Sequence, residues 1–238
     1  MTQTAVITGG ARGIGAAITA RLAADGFRTI VLDIARPEGQ PDQFVQVDLS
    51  DAGAAVAAAA AIAAAEPVSC LVNNVGLVAP AALEDVALED FDRLFHINLR
   101  TSLICAQAFV PGMKAAGQGR IVMNTSRVTL GKELRTLYSG TKGAAQAMAR
   151  TWALELAPFG ITVNCVAPGP IGTQAFWANN PPDAPLTRQI IDKVPVRRMG
   201  EPEDVANAVA FFCAPAAGFV TGQTLFVCGG VTVGLSGD

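Results

Sequence analysis

Seven short apolar segments recur along the chain and constrain its fold more than any other feature. Each is four or five residues long, rich in β-branched side chains and apolar on both faces. Such segments are typical of a parallel sheet that helices cover on both sides. The predicted strands are 5–8, 29–33, 44–47, 70–73, 120–124, 162–166 and 224–227, and helix-forming stretches lie between them at 13–25, 51–65, 88–116, 137–157 and 203–213.

The alternation of strands and helices predicts a single α/β domain over 1–238, built as a doubly wound, seven-stranded parallel sheet with helices on both faces. One connection differs from the others. Residues 34–43 contain two prolines and a glycine, which disfavour a helix, so we expect a bare coil there. The stretch 52–65 holds 11 alanines and predicts a helix opened by Ser50 or Asp51 as N-cap.

The chain is poor in charge. Of its 238 residues 16% are charged and 51% are hydrophobic, whereas an ordinary soluble domain is about 25% charged. A membrane span needs roughly 20 consecutive apolar residues. The longest uncharged run, 205–237, is interrupted by Pro215 and several glycines, so the sequence predicts no membrane association. The net charge of −3 disfavours a nucleic-acid partner.

The five cysteines are widely spaced, form no Cys-x-x-Cys pair and are accompanied by a single histidine. This pattern favours reduced thiols over disulfides or a metal site, so we expect no metal and a cytoplasmic location. The N-terminal segment also lacks the basic region of a signal peptide, and none is expected.

A glycine-rich loop, with Arg12 and Ile14 between its glycines, follows the first predicted strand and opens the first predicted helix. Gly9, Gly13 and Gly15 permit a tight turn and a close backbone approach to a ligand. The helix N-terminus behind them suits a pyrophosphate. In this strand–turn–helix context the loop predicts a dinucleotide-binding site.

Asp33 ends the second predicted strand, 18 residues beyond Gly15. A carboxylate at this place can accept hydrogen bonds from adenosine ribose hydroxyls and would repel a 2′-phosphate. Asp33 therefore favours NAD over NADP. Arg12 and Arg36 leave NADP open, since either cation could reach such a phosphate.

Tyr138 and Lys142 lie four residues apart at the start of a predicted helix and therefore share one face. A tyrosine with a pKa near ~10 is a poor base at neutral pH. An ammonium about 5 Å away, at an effective dielectric of ~20, favours the phenolate by roughly 3 kcal/mol and so lowers the tyrosine pKa by about two units. Ser126 ends the fifth predicted strand and would emerge at the ligand-binding edge of the sheet.

Five motifs appear in one order along the chain: Gly9-x-x-x-Gly13-x-Gly15, Asn73-Asn74-Val75-Gly76, Ser126, Tyr138-x-x-x-Lys142 and Pro168-Gly169. In order and spacing they resemble the short-chain dehydrogenase/reductase family, and the resemblance covers essentially the whole chain. It implies a Rossmann domain. Two positions depart from the family pattern, namely Val75 in the Asn-Asn-Ala-Gly motif and Cys228 where an Asp is common.

The resemblance implies four catalytic residues. Tyr138 would be the general acid in ketone reduction and the general base in alcohol oxidation. Lys142 would hold the nicotinamide ribose and lower the tyrosine pKa, and Ser126 would orient the substrate carbonyl. Asn98 would interrupt the long helix and hold a water that passes protons outward from Lys142. Besides the glycine loop and Asp33, the implied cofactor contacts are Asp48, Leu49, Asn74, Gly76, Pro168, Gly169 and Thr173.

Together these features predict an NAD-dependent oxidoreductase that interconverts a secondary alcohol and a ketone. One alternative is a 3-oxoacyl thioester (acyl carrier) reductase that uses NADPH, and another is a cofactor-binding regulator without turnover. A lid at about 170–200 would set the substrate, with Phe176 and Trp177 as candidate wall residues. A second apolar stripe on the Tyr138 helix, which includes Trp152, indicates a homo-oligomer, and the family resemblance implies a tetramer.

The segment between Ser126 and Tyr138 carries Arg127, Lys132 and Arg135 against a single acid, Glu133, and so has a net charge of +2. This excess leads to the hypothesis that the small-molecule substrate is anionic. The alternative is a basic segment that only contacts solvent.

Overall fold

The computed structural model of the chain describes residues 3–234, and in them seven strands form one sheet. Their order across the sheet is β3-β2-β1-β4-β5-β6-β7, and every neighbouring pair is parallel. The predicted fold class is therefore confirmed, while residues 1–2 and 235–238 of the predicted domain lie outside the described residues. The strands are β1 (Thr4–Thr8), β2 (Arg28–Asp33), β3 (Gln43–Gln46), β4 (Cys70–Asn73), β5 (Gly119–Asn124), β6 (Ile161–Pro168) and β7 (Thr224–Val227).

Helices cover both faces of this sheet. Those described are α1 (Gly13–Ala24), α2 (Ala52–Ala65), α3 (Leu88–Phe95), α4 (Thr101–Ala116), α5 (Thr136–Leu156), α6 (Gln174–Asn179), α7 (Pro185–Asp192) and α8 (Pro202–Cys213). Helices α1 and α8 pack on one face, and α2, α4 and α5 pack on the other. Adjacent residues of β1 show the consequence, because Ile7 belongs to the first layer and Val6 to the second. A sheet buried on both faces accounts for much of the low charge content.

The connections follow the sequence in most places. No helix joins β2 to β3 within the described residues, as expected from the prolines there. Asp51 is the N-cap of α2, and its carboxylate accepts a hydrogen bond from the Ala54 amide at 3.0 Å. The long helix predicted over 88–116 is divided, because His96–Arg100 forms a π-helical turn between α3 and α4.

The predicted lid contains two helices, α6 and α7, that the sequence did not predict. The Thr173 hydroxyl caps α6 by accepting a hydrogen bond from the Phe176 amide at 3.2 Å, and Pro185 begins α7. Helices of six and eight residues are too short for hydrophobic periodicity to identify them. Among the described residues, no helix combines the length and apolar character that a membrane crossing requires.

Candidate active site

The carboxyl ends of β1, β4, β5 and β6 meet at one edge of the sheet, and the strand order reverses between β1 and β4. Open parallel sheets bind their ligands at such a reversal. A cavity of about 390 Å³ lies at this edge. Nine of the predicted site residues line it: Ile14, Asn74, Gly76, Ser126, Tyr138, Lys142, Pro168, Gly169 and Thr173.

An adjoining cavity of about 530 Å³ extends from the first one to the glycine-rich loop. The two cavities share Ile14, Asn74 and Thr173 in their linings. The second cavity is also lined by three further predicted residues, Arg12, Gly13 and Gly15. The predicted phosphate loop therefore lines a cavity that adjoins the one lined by Ser126, Tyr138 and Lys142.

The glycine-rich loop has the geometry that a pyrophosphate requires. Gly9 and Gly13 have φ values of +64° and +53°, which favour glycine. A side chain on Gly15 would overlap the carbonyl oxygen of Gly9, so the turn packs directly on the helix start. No side chain caps α1, and its first turn contains no acid, which leaves its N-terminus suited to an anion. The residues present therefore fit the phosphates of a dinucleotide.

Asn74 joins three strand ends at the centre of the site. Its Nδ2 donates hydrogen bonds to the carbonyl oxygens of Thr8 at 3.1 Å and Gly9 at 2.8 Å. Its Oδ1 accepts a hydrogen bond from Asn124 Nδ2 at 2.7 Å. The Thr8 hydroxyl in turn accepts from the amide of Asn74 at 3.0 Å. Asn124 and Thr8 were not among the predicted site residues, although a polar residue at the end of a buried strand is a usable signal for a site.

Lys142 is almost completely buried beside this junction. Its Nζ donates a hydrogen bond to the carbonyl oxygen of Asn124 at 2.7 Å and lies 5.6 Å from the ring centroid of Tyr138. Burial lowers the pKa of Lys142 to about 8. A side chain at Gly76 would lie 3.2 Å from Nζ, so this glycine leaves room around the ammonium.

Tyr138 lies half-buried at the start of α5, and its side chain lines the same cavity as Ser126. Burial raises the pKa of Tyr138, while the nearby Ser126 hydroxyl and the charge of Arg135 oppose that rise. The expected lowering of this pKa by Lys142 is therefore not found in the protein alone. Arg135 is the cation that opposes the rise in the Tyr138 pKa. The Lys142 ammonium instead donates a hydrogen bond to the Asn124 carbonyl and is itself buried.

Asn98 lies in the π-helical turn and is buried. Its Oδ1 accepts a hydrogen bond from the Leu77 amide at 2.8 Å, and its Nδ2 donates to the Leu77 carbonyl and to the Thr141 hydroxyl, each at 3.0 Å. These bonds tie the turn after β4 to α5. Asn98 does not line the 390 Å³ cavity described above, and its part in a proton relay stays a prediction.

Four predicted cofactor residues do not line either cavity, namely Gly9, Asp33, Asp48 and Leu49. Asp33 ends β2 and accepts hydrogen bonds from the amides of Ala11 and Ala35, each at 3.0 Å, so its carboxylate anchors the glycine-rich loop through Ala11. Asp48 and Leu49 follow β3. Asp48 is exposed and accepts hydrogen bonds from Ser50, which lower its pKa, and Leu49 is buried.

The lid contributes one of its two aromatic residues to the site. Phe176 lines the cavity with Tyr138, together with Ile190 of α7. Trp177 instead packs over Gly172, where an added side chain would lie 2.7 Å from the indole. The part of the chain that the structure describes contains no cluster of three or more His, Cys, Asp or Glu side chains placed to hold a metal ion.

Comparison with known proteins agrees with this geometry. The model of a family described as enoyl-(acyl carrier protein) reductase matches residues 9–232. The BbsD subunit of a hydroxy(phenyl)methylsuccinyl-CoA dehydrogenase from Thauera aromatica is 35% identical over 240 residues, 96% of each chain. An acetoacetyl-CoA reductase from Rhizobium meliloti is 35% identical over 241 residues, 97% of this chain and 98% of the relative.

Among solved structures, a putative NAD(P)-dependent gluconate 5-dehydrogenase from Beutenbergia cavernae, with NADP bound at low occupancy, superposes with a TM-score of 0.91. The two chains are 32% identical, and the match covers 98% of this chain and 97% of the other. The fold, the site and the relatives agree: the chain belongs to the short-chain dehydrogenase/reductase family and is an oxidoreductase acting on CH–OH groups.

Proposed function

We propose that the protein interconverts a secondary alcohol and a ketone with a nicotinamide dinucleotide, and that Tyr138 is its acid and base. The observation that carries the proposal is that Ser126, Tyr138 and Lys142 line one cavity, and that this cavity adjoins the glycine-rich loop. A regulator without turnover is disfavoured, because it would not require these three side chains to converge.

Each residue has a distinct part in the proposed reaction. When bound, the nicotinamide ring accepts or supplies the hydride. Ser126 and Tyr138 line the same cavity with their hydroxyl groups, so a single substrate oxygen can contact both. Tyr138 removes the proton from that oxygen in oxidation and returns it in reduction. The buried Lys142 ammonium holds the ribose of the nicotinamide and stabilises the phenolate.

The proposed cofactor is a nicotinamide dinucleotide held by Gly9, Gly13, Gly15 and Asn74, without preference for one form. The preference for NAD drawn from Asp33 has no support from the comparisons, since a solved relative has NADP bound. One carboxylate oxygen of Asp33 accepts the Ala11 amide of the glycine-rich loop, and the other accepts the Ala35 amide just after β2, which gives this residue a structural role with either cofactor.

A second candidate reaction is the reduction of a 3-oxoacyl thioester with NADPH. It is supported by the similarity to the acetoacetyl-CoA reductase of Rhizobium meliloti. Ser126 and Tyr138 would hold the 3-oxo group in the same way, and the thioester would extend out of the cavity past the lid. Turnover of acetoacetyl-CoA with a kcat/KM far above that of small ketones would favour this candidate.

We also propose a homotetramer in the cytoplasm. One stripe of α5 packs on its own sheet, whereas Leu154 on the same helix is 81% exposed. An apolar groove of about 540 Å³ between α2 and α4 is a second unpartnered surface. The five cysteines are buried free thiols, which suits a reducing compartment. Light scattering should therefore give about four times the chain mass of 24.4 kDa.

The test is Tyr138→Phe, assayed on a panel of ketones, secondary alcohols and acetoacetyl-CoA with NADH and with NADPH. Loss of the phenol should lower kcat by about 100-fold or more, because general acid–base catalysis contributes on this scale. Dinucleotide binding, followed by cofactor fluorescence, should stay within about twofold of wild type. A variant with near-normal kcat would contradict the proposed role of Tyr138.

A further inference from the structure

Two cations enter the catalytic cavity from the segment that joins β5 to α5. Arg127 directly follows Ser126, and its half-buried side chain lines the cavity. Lys132 lines the same cavity at its exposed rim, after Gly131 with a φ of +102°. Positive charge therefore lies on the same wall as the two hydroxyl groups of Ser126 and Tyr138.

Within residues 3–234 these cations form no ion pair with an acid, since none of the ion pairs includes Arg127, Lys132 or Arg135. The single acid of the segment, Glu133, is exposed. Burial and the charges of Arg127 and Arg135 lower the pKa of Lys132, which shows that the cations lie close enough to repel one another. Like charges gathered in a partly closed cavity are stabilised when an anion joins them.

The remaining walls indicate the size of that anion. Phe176 and Ile190 add apolar side chains to the lining of the same cavity, which suits a short hydrocarbon chain. The volume of about 390 Å³ must also contain the nicotinamide end of the cofactor, so little room is left for the substrate. A guanidinium binds a carboxylate through two parallel hydrogen bonds, which adds direction to the charge attraction.

We propose that the substrate is a small hydroxy acid or oxo acid whose carboxylate is held by Arg127 and Lys132 while Ser126 and Tyr138 hold its reacting oxygen. The inference rests on the proposed oxidoreductase function. It makes Arg127 and Lys132 specificity-determining residues, and it places the carboxylate a few bonds from the carbon that is oxidised or reduced.

The experiment compares each acid with its neutral amide. The pairs are 2-hydroxybutyrate and 2-hydroxybutanamide, 3-hydroxybutyrate and 3-hydroxybutanamide, and 4-hydroxypentanoate and its amide. Glycerol 3-phosphate and glycerol form an additional pair that tests a phosphate. Wild type, Arg127→Gln, Lys132→Gln and a control, Arg150→Gln, are assayed. Arg150 is an exposed cation on α5 that lies outside the cavity lining.

For at least one pair, wild type should prefer the acid by about 10-fold or more in kcat/KM, since a charged hydrogen bond contributes on this scale. Arg127→Gln should remove that preference, largely through KM, and should leave the amide within about twofold. Arg150→Gln should change neither substrate. A phosphate preference that exceeds every carboxylate preference and depends on Arg127 would overturn the assignment of the anion.

Failure of this inference can be distinguished from failure of the proposed reaction. If alcohols are oxidised but acids and amides react equally, and Arg127→Gln has no effect, the substrate class is wrong and the oxidoreductase function stands. If nothing is turned over although the dinucleotide binds, the proposed reaction fails. Calorimetry of 3-hydroxybutyrate with dinucleotide-bound Tyr138→Phe then decides the inference separately, because binding that Arg127→Gln abolishes would support it and its absence would oppose it.

Discussion

The ammonium nitrogen of Lys142 lies 2.7 Å from the carbonyl oxygen of Asn124, at the end of a strand and almost out of reach of water. A single neutral acceptor is little compensation for a buried cation. The lysine is thus held at a cost to stability, 5.6 Å from the ring centroid of Tyr138 and beside the cavity in which we propose that the dinucleotide binds.

The free-energy cost of burying the Lys142 ammonium should depend on pH, and a comparison of wild type with Lys142→Met measures it. Burial lowers the pKa of Lys142 from 10.5 to about 8, so between these pH values the unfolded chain binds more protons than the folded protein. The stability of wild type relative to Lys142→Met should therefore increase by up to about 3 kcal/mol as the pH rises through this range. Urea unfolding of both proteins at pH 7.5 and 10 measures the difference, and an unchanged difference would argue against the buried charge.

Arg135 should influence catalysis through the pKa of Tyr138. Its charge opposes the rise in that pKa caused by burial. Arg135→Gln should therefore raise the pKa of Tyr138, and the rate of alcohol oxidation should need a higher pH to reach its plateau. We expect the rate profile to move by about half a pH unit, and Arg135→Lys to restore it. A profile identical to that of wild type would contradict this role.

Asn98→Ala should lower stability as well as activity. The substitution removes both hydrogen bonds between the Asn98 side chain and the backbone of Leu77, which costs about 2 kcal/mol. The substitution also removes the hydrogen bond from Asn98 to the Thr141 hydroxyl, one residue before Lys142, so kcat should fall by about 10-fold or more. Chemical denaturation gives the first effect and steady-state kinetics at a stabilising temperature gives the second. Full stability in Asn98→Ala would show that Leu77 finds other partners.

Two glycine substitutions should have opposite effects. In Gly15→Ala the new methyl group would overlap the carbonyl oxygen of Gly9 and lie 2.7 Å from Asn74 Nδ2, so we expect dinucleotide affinity to fall by about 100-fold and stability by about 3 kcal/mol. In Gly112→Ala, within α4, nothing lies within 4 Å, and the higher helix propensity of alanine should add about 0.5 kcal/mol. Fluorescence titration and urea unfolding measure both variants.

Asp33→Asn tests cofactor choice while keeping a side chain of the same shape. The amide oxygen can still accept the Ala11 or the Ala35 amide, so the loop should keep most of its structure. Loss of the negative charge should raise kcat/KM for NADPH relative to NADH by about 10-fold, if the adenosine ribose lies beside residue 33. A ratio unaffected by the substitution would place the ribose elsewhere.

The fold was predictable because most strands are apolar and buried on both faces and because α1, α2, α5 and α8 are long enough to show helical composition. The two lid helices were not, since their ends depend on a Thr173 cap and on Pro185 rather than on periodicity. The π-helical turn was located only through the resemblance at Asn98, because a π turn has no hydrophobic signature of its own.

The convergence of Ser126, Tyr138 and Lys142 was also predictable, since each follows from a strand end or from helical spacing. The network behind them was not. Asn124 contacts Asn74 and Lys142 through a side-chain amide and a backbone carbonyl, and neither contact leaves a spacing in the sequence. The direction of the Tyr138 pKa shift was likewise predicted wrongly, because burial raises this pKa and the cation that opposes the rise is Arg135 rather than Lys142.

The four short hydrogen bonds around Asn74 have a thermodynamic consequence for binding. They connect the glycine-rich loop on β1 to the strand that carries Ser126, so the two halves of the site cannot move independently. The conformational entropy of arranging these groups is then lost during folding rather than when a ligand arrives. A dinucleotide would then meet an edge whose polar groups are already held in place before it binds.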